Sequence, residues 1–286
     1  MLGSGLALAG TRFAGAAPTP PMPMQFPRHT SRADPQFLYM RRLAELALTL
    51  AGYEPRITDV ATEMTQQRSI AELALGRAPN ELMWTVTSRE REEAGVLPVR
   101  VPIDRGLLGW RVLVVRRAEL PHWRSVRSLT GLRKHAAGQG HDWPDTAVLR
   151  ANDLPVVTSA NFDALFRMLE RGRFDYFPRS VLEVDGDLAQ ADRGDLAIVP
   201  DLLLHYPAAT YFFVTPRRPD LARALEHGLE LAVAAGSLQR LHLAHYGAAW
   251  RRHAHAASAV LELENPALPP LTPVGRREFW FSMSDA

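Results

Sequence analysis

Segments with the pattern of buried strands alternate with helical segments along most of this chain. Residues 36 to 50 place apolar side chains at helical spacing and stop at Gly52, and residues 67 to 75 repeat this more briefly before Gly76. Strand-like stretches lie between and after these helices, at Arg56 to Glu63, Glu81 to Thr87 and Trp110 to Arg116. Strands separated by helices in this way predict an α/β fold whose parallel sheets are covered on both faces.

A second series of the same kind follows. After a helix at Ser125 to Leu132, it comprises a helix at Asp145 to Ala151, a strand at Leu154 to Ser159, a helix capped by Asn161 and a strand at Arg173 to Pro178. The remaining segments are a strand at Tyr211 to Thr215, a helix at Pro219 to Ala235 and a further helix after Gly236. Two such units in tandem predict a ligand site between two sheets, beyond the carboxyl ends of their strands.

Composition narrows the range of functions. The chain has 286 residues, of which 47% are hydrophobic, so it can bury a large core. Its formal net charge is only +2 and its basic residues do not gather in runs, so no nucleic acid partner is predicted. The absence of cysteine excludes disulfides, thiolate catalysis and zinc–thiolate sites.

The first residues indicate an extracytoplasmic protein. Leu2 to Gly10 form a short apolar stretch, and Ala14 to Ala16 match the small-residue pattern before a cleavage point. We therefore predict a signal peptide and proline-rich linker over residues 1 to 24, in preference to a disordered alanine-rich tail. No later apolar run approaches the roughly 20 residues of a membrane-spanning helix, so we expect a periplasmic or secreted protein that is not integral to the membrane.

A glycine-containing motif, GQGHDWPD, occupies residues 138 to 145. It is not a dinucleotide fingerprint, because Trp143 stands where the third glycine belongs, and no Walker lysine follows. We interpret Gly138 and Gly140 as positions where bare backbone approaches a ligand, before a helix that begins at Pro144 and offers free N–H groups to a carboxylate.

No metal or other cofactor is predicted. The closest histidine pairs are His242 with His245 and His253 with His255, and neither pair has an acidic third ligand nearby in the sequence.

Five segments in order resemble the type II periplasmic solute-binding proteins, and within them the polar amino-acid-binding branch called solute-binding family 3. They are Thr85 to Arg91, Trp110 to Arg116, Gly138 to Gly140, Arg173 to Tyr176 and the long stretch from Tyr211 to Leu241. The resemblance implies a two-lobed α/β fold in which each lobe is a mostly parallel sheet flanked by helices, with two hinge strands between the lobes. It places lobe 1 at residues 25 to 117 plus 200 to 250, lobe 2 at 118 to 199 and a C-terminal extension at 251 to 286.

The resemblance also implies how a ligand is held. The family binds an amino acid's carboxylate with an arginine of the first lobe and with backbone amides of the second lobe's glycine loop, here Gln139 and Gly140. The family's Thr-x-Thr-x-x-Arg segment has Glu90 at its last position in this chain, flanked by Arg89 and Arg91. Either arginine fits the function, and we prefer Arg89.

Four further residues are candidates for the ligand site. Arg28 faces either the cleft or the solvent, while Trp143 and Tyr206 either wall the ligand or pack in the core. Arg179 lies near the position where the family often has the acidic residue that receives the ammonium. An arginine there favours an anionic ligand, unless Glu183, one helical turn later, neutralises it.

The predicted function is therefore that of a monomeric, non-catalytic solute-binding protein. It closes over a small, anionic, amino-acid-like solute and presents it to an ABC permease or a membrane sensor. The alternative is a dehydratase-like enzyme of the same fold that acts on a cyclic acid, with Glu90 or Glu183 as acid or base.

Overall fold

The computed structural model describes residues 19–29, 36–189, 193–253 and 258–282. The segments Leu2 to Gly10 and Ala14 to Ala16, on which the predicted signal peptide depends, lie outside these residues. The first strand, β1 (Pro21–His29), begins before residue 25, inside the segment predicted as a linker. Its exposed Pro21 and Pro23 alternate with buried Met22 and Met24, which explains how a proline-rich stretch forms a strand.

The first lobe is built from strands and helices in alternation. After β1 come α1 (Phe37–Leu50), β2 (Glu54–Thr62), α2 (Gln66–Ala74), β3 (Leu82–Val86), α3 (Arg89–Glu93) and β4 (Leu97–Val99). Strands β1 and β2 pair in parallel. Strands β3 and β4 flank β10 (Thr210–Val214), and both run antiparallel to it. The chain therefore leaves this lobe and returns to it through β10.

The second lobe begins after β5 (Trp110–Arg116). It contains α4 (Leu120–Trp123), α5 (Leu129–Leu132), β6 (Ala137–Gly140), α6 (Pro144–Ala151), β7 (Val156–Ser159), α7 (Phe162–Glu170), β8 (Phe177–Ser180) and α8 (Val184–Ala189). Strands β6 and β7 are parallel, and the side chain of Asn161 caps α7 as expected.

Two antiparallel strands connect the lobes. Strand β5 leads out, and β9 (Leu196–His205) leads back, paired from Trp110 opposite His205 to Arg116 opposite Leu196. Strand β8 lies on the other side of β5. These are the two hinge strands that the sequence implied.

The remaining helices return to the first lobe. α9 (Pro219–Ala234) packs on α1 so closely that Gly228 faces the carbonyl of Ala47. α10 (Ser237–His253) follows, and β11 (Ala259–Glu262) then joins the edge of β9 in parallel. None of the helices within the described ranges is long and apolar enough to cross a membrane.

Three local predictions need correction. The helix expected at Ser125 to Leu132 is shorter, because α5 begins only at Leu129, and α4 ends at Trp123, before the expected segment. The strand expected at Arg173 to Pro178 begins at Phe177, because Gly172 turns the chain with a positive φ of 66°. The pairing is parallel at β1–β2, β6–β7 and β9–β11, but antiparallel around β5 and β10.

Candidate functional site

A cleft of about 460 Å³ is lined by residues from both lobes. The first lobe contributes polar and aromatic groups, among them Gln66, Trp84, Thr85 and Arg91. The second lobe contributes a more charged wall, which includes Trp143, Asp145, Phe162, Arg179, Glu183 and Asp187. The cleft therefore has two chemically different sides.

Arg91 belongs to the first-lobe side and is buried, with 7% of its surface exposed. Its helix, α3, is capped by Ser88, whose hydroxyl accepts from the Arg91 backbone N–H at 3.3 Å. One guanidinium nitrogen donates to Thr85 Oγ1 at 2.6 Å and to the Val86 carbonyl at 2.8 Å. The other donates to Gln66 Oε1 at 2.8 Å and reaches the second-lobe carbonyl of Asp142 at 3.5 Å.

All of these acceptors are neutral. No carboxylate in the described part of the chain forms an ion pair with Arg91. Burial lowers the pKa of Arg91 to about 10, and the negative charges of Asp145 and Asp142 oppose part of that shift. A desolvated cation with neutral partners gains most from an anion brought to it, so Arg91 is suited to receive a carboxylate.

Arg89 does not line the cleft, and our preference for it is corrected. Its side chain is exposed, and its backbone N–H donates to the carbonyl of Ala267 at 3.1 Å. Arg89 and Arg91 are separated by about 200° around the axis of α3, so only one of them can face the ligand space. With Ser88 as the N-cap of α3, the arginine that faces the ligand space is Arg91.

Arg179 lies in the cleft wall, but its charge is already matched. Its Nε donates to Asp187 at 2.6 Å, and its Nη2 lies 3.0 Å from Glu183. The rings of Trp143, Phe162 and Phe177 surround the guanidinium at 5.1 to 5.2 Å. The neutralised arrangement is therefore the one present, and Arg179 does not supply the free positive charge on which the anionic ligand depended.

Arg111 is a cleft residue that the sequence analysis missed. It is buried, forms an ion pair with Asp145 and lies 3.9 Å from Glu183. A signal existed, because an arginine inside the buried strand WRVLVVR requires a partner. Tyr206 donates its hydroxyl to Asp145 and is fully covered, so it orients Asp145 from behind and does not wall the ligand.

The second-lobe wall carries more negative than positive groups. Arg179, together with Arg111 of the hinge strand β5, is set against three carboxylates, those of Asp145, Glu183 and Asp187. Glu183 is the most exposed of the three at 26%. Burial raises the pKa of Glu183, and the charge of Arg179 opposes the rise. This wall thus offers a carboxylate to a positive group.

The two glycines of the motif lie in a strand and not in a loop, and the helix that follows begins at Pro144 as predicted. Gly138 and Gly140 lie in β6, where a side chain would collide with the rings of Phe174 and Trp143. Gly140 lines the cleft, whereas Gln139 points to the other face and is fully buried. Neither amide atom of Gln139 has a hydrogen-bond partner among the described residues. The side chain of Gln139 therefore does not reach the cleft.

The remaining candidates are divided between surface, cleft and core. Arg28 is exposed, with its guanidinium 5.5 Å from the centre of the Phe37 ring, so it faces solvent and not the cleft. Trp143 lines the cleft. His242 is buried, and its Nε2 lies 3.0 Å from the carbonyl of Asp104.

The described residues contain no group of three histidines or carboxylates placed to hold a metal ion. His255, named above as half of a histidine pair, lies outside them.

No protein-family model and no curated protein matches this chain. Solved structures do match it. ArgBP from T. maritima, as a mutant, is 17% identical with a TM-score of 0.53 over 79% of this chain and 95% of its own. A probable amino-acid ABC transporter extracellular-binding protein from Bacillus subtilis is 14% identical, with a TM-score of 0.56 over 79% and 99%.

A third structure is similar to the same extent. It is a periplasmic His/Glu/Gln/Arg/opine family-binding protein from Silicibacter pomeroyi in complex with lysine, 12% identical with a TM-score of 0.56 over 78% and 97%. The fold of this chain is therefore the two-lobed α/β fold of periplasmic binding proteins, and the predicted fold class is confirmed. The structures that share it are solute-binding proteins of amino-acid ABC transporters, as the resemblance in sequence indicated.

Proposed function

We propose that this chain is an extracytoplasmic solute-binding protein that closes its two lobes over a small, amino-acid-like ligand and leaves the ligand chemically unchanged. The observation that carries the proposal is Arg91, a buried guanidinium with neutral partners that lies in the cleft and reaches across to Asp142. An ABC permease or a membrane sensor would then recognise the closed form.

Arg91 provides the site for the ligand's carboxylate. Charge-assisted hydrogen bonds between a guanidinium and a carboxylate are short and strong. Thr85 and Gln66 fix the guanidinium before the ligand arrives, so little rotamer entropy is lost on binding.

The other end of the ligand meets the carboxylate-rich wall. An anionic ligand would find Arg91 as its one unmatched cation among the described cleft residues, and Glu183 would repel its second negative charge. We therefore favour a zwitterionic or dibasic amino acid, with its positive group toward Glu183, over the anionic solute expected from the sequence. The lysine bound in the similar structure from Silicibacter pomeroyi supports this choice.

Closure would follow from contacts to both lobes. Arg91 belongs to the first lobe and Glu183 to the second, so a ligand that bridges them stabilises the closed state relative to the open one. Strands β5 and β9 are the connections that would bend.

Titration calorimetry with L-arginine, L-lysine, L-glutamine and L-glutamate tests the proposal. We expect at least one of the first three to bind, and Arg91→Gln to weaken that binding about 100-fold, since a buried charge-assisted pair is lost. The matched control is Arg89→Gln, which removes the same charge from an exposed side chain and should leave affinity unchanged. Equal effects of the two substitutions would refute the assignment of Arg91.

The alternative enzyme retains one supporting observation. Glu183 lies in the cleft and burial raises its pKa, which suits a general acid, whereas Glu90 is exposed and does not line the cleft. Incubation with cyclic hydroxy acids, followed by mass spectrometry for the loss of water, tests this function. Turnover abolished by Glu183→Gln would favour the enzyme over the binding protein.

A further inference from the structure

The residues after α10 connect the two lobes along the outside of the molecule. We call residues 258–282 the C-terminal strap. Its first part, β11, pairs with β9, and Leu261 and Leu263 are buried in the same cluster as Val148 and Leu149 of α6. This end of the strap is thus part of the second lobe's core.

A reciprocal pair of hydrogen bonds fixes the strap to the second lobe. Asn152, which ends α6, donates from Nδ2 to the Glu264 carbonyl at 2.8 Å and accepts from the Glu264 N–H at 3.0 Å. The opposite end of α6 carries Asp145, which lines the cleft. The strap is therefore anchored to the helix that forms part of the second-lobe wall.

The next residues bind the first lobe. The carbonyl of Ala267 accepts from the N–H of Arg89 at 3.1 Å. Arg89 is the first residue of α3, the short helix that carries Arg91. The strap thus contacts the helix of the key arginine on the side that faces away from the cleft.

The far end of the strap is held in the first lobe. The Phe281 N–H donates to the Arg105 carbonyl at 2.7 Å, and Arg105 donates back to the Trp280 carbonyl at 2.9 Å. The ring of Phe281 packs on Trp250 of α10 with 4.7 Å between centroids. Both ends are therefore anchored, each in a different lobe.

We propose that the C-terminal strap positions Arg91 and limits how far the lobes separate. This inference rests on the proposed function of the cleft, because it assigns the strap a role in ligand binding there. Asn152 and the backbone N–H of Arg89 are the two attachment points next to the ligand space. Opening of the cleft has to stretch the strap or break one of these attachments.

The attachment to α3 is tested with Arg89→Pro and Arg89→Ala. Proline is well suited to the first position of a helix, where its missing N–H has no intrahelical role, and Ser88 already has the extended backbone that precedes proline. Arg89→Pro thus preserves α3 and removes the bond to Ala267. We expect about five-fold weaker binding of L-arginine or L-lysine with Arg89→Pro, and none of this effect with Arg89→Ala.

The attachment to α6 is tested without any ligand. The chain has no cysteine, so Leu75→Cys and Glu170→Cys give two unique spin-label positions, one on each lobe. Asn152→Ala should raise the population of longer interlobe distances in the unliganded full-length protein about five-fold. Asn152→Ala removes three side-chain hydrogen bonds, two with Glu264 and one to the Val148 carbonyl. The control is Asn265→Ala, which removes two, one to Pro207 and one within the strap, and leaves the Asn152–Glu264 pair intact, so the distances should not change.

The two outcomes separate this inference from the proposed function. Unchanged distance distributions in Asn152→Ala, with thermal unfolding showing a folded protein, would overturn the strap whether or not an amino acid binds. Failure of all four amino acids to bind, together with a broadened distribution, would instead retain the strap as a restraint on the lobes and reject the proposed ligand class.

Discussion

Arg91 and Gln66 are 25 positions apart in the sequence, yet the guanidinium Nη2 lies 2.8 Å from the Gln66 side-chain oxygen. Gln66 is the first residue of α2, and Thr65 caps that helix with its hydroxyl. A neutral amide at this position hydrogen-bonds the guanidinium without neutralising its positive charge. Arg179, on the opposite wall, is held by two carboxylates and has no such surplus. Arg91, and not Arg179, is therefore the arginine whose positive charge is available to a ligand.

Gln66→Glu should convert Arg91 into a second neutralised arginine. The shape of the side chain is retained, but the new carboxylate competes with the ligand's carboxylate for the same N–H groups. We expect affinity for the bound amino acid to fall more than 10-fold in calorimetry, because an attractive contact is replaced by repulsion. Gln67→Glu adds the same charge at the neighbouring exposed position of α2 and should leave affinity within two-fold.

Glu183→Gln and Asp187→Asn should differ in their effects on stability. Removing the surplus negative charge at Glu183 leaves two arginines opposite two carboxylates, so we expect no loss of unfolding free energy, or a small gain. Asp187→Asn takes from Arg179 a buried partner and should cost about 3 kcal/mol. Urea denaturation of both variants measures the difference. Equal destabilisation by the two variants would mean that Glu183 is not an excess negative charge in this group of side chains.

Affinity should depend on pH through Glu183. Burial raises its folded-state pKa above the ordinary value of about 4.3. The stability attributable to this group is therefore greatest below the unfolded-state pKa and is lost as pH rises through the folded-state pKa. The affinity for a cationic ligand group has the opposite pH dependence. It falls as pH falls through that raised pKa, because protonation removes the negative charge of Glu183. Titrations between pH 4 and 8 should show this slope in the parent protein and lose it in Glu183→Gln.

Strands and helices with uninterrupted local patterns could be predicted from the sequence. Strand β5 has the predicted bounds, and α1 and α9 differ from prediction by a residue at one end. Strand β9 was missed because Pro200 and Asp201 stand in its middle, and Asp201 has a positive φ of 58°. Such residues are signals of a turn. Pairing with β5 on both sides of this interruption maintains the strand, with a register shift between Val112 and Val114.

The candidate site was predicted only in part, because some of its residues are placed by local signals and others by contacts that are distant in the sequence. The choice between Arg89 and Arg91 depends on where α3 begins, and Ser88, a preferred N-cap residue, could have shown it. The placement of Gln139 could not be found locally. GQG has the composition of a loop, and it forms a strand because it pairs with β7, a contact that the segment alone does not reveal.

Gln139→Met tests the corrected placement of Gln139. The substitution retains the volume of the side chain and replaces an amide that has no described partner at full burial. We expect an increase of about 1 kcal/mol in the free energy of unfolding, since burying an unpaired amide is unfavourable. Ligand affinity should not change. A clear loss of affinity with normal stability would instead support the original assignment of Gln139 to the ligand site.

The contact between α1 and α9 depends on one glycine. A Cβ at Gly228 would lie 1.8 Å from the carbonyl oxygen of Ala47, and both groups belong to rigid helical segments. Alanine normally stabilises a helix by about 1 kcal/mol relative to glycine. At Gly228 the steric conflict should outweigh that gain, so we expect Gly228→Ala to destabilise the protein by about 2 kcal/mol. Gly247→Ala in α10 is the matched control, because the new methyl group meets only the movable end of Arg251 at 3.3 Å. In thermal unfolding, Gly228→Ala should lower the melting temperature relative to the parent protein and Gly247→Ala should raise it. A shift of the same sign in both variants would show that helix propensity, and not the α1–α9 contact, controls the melting temperature.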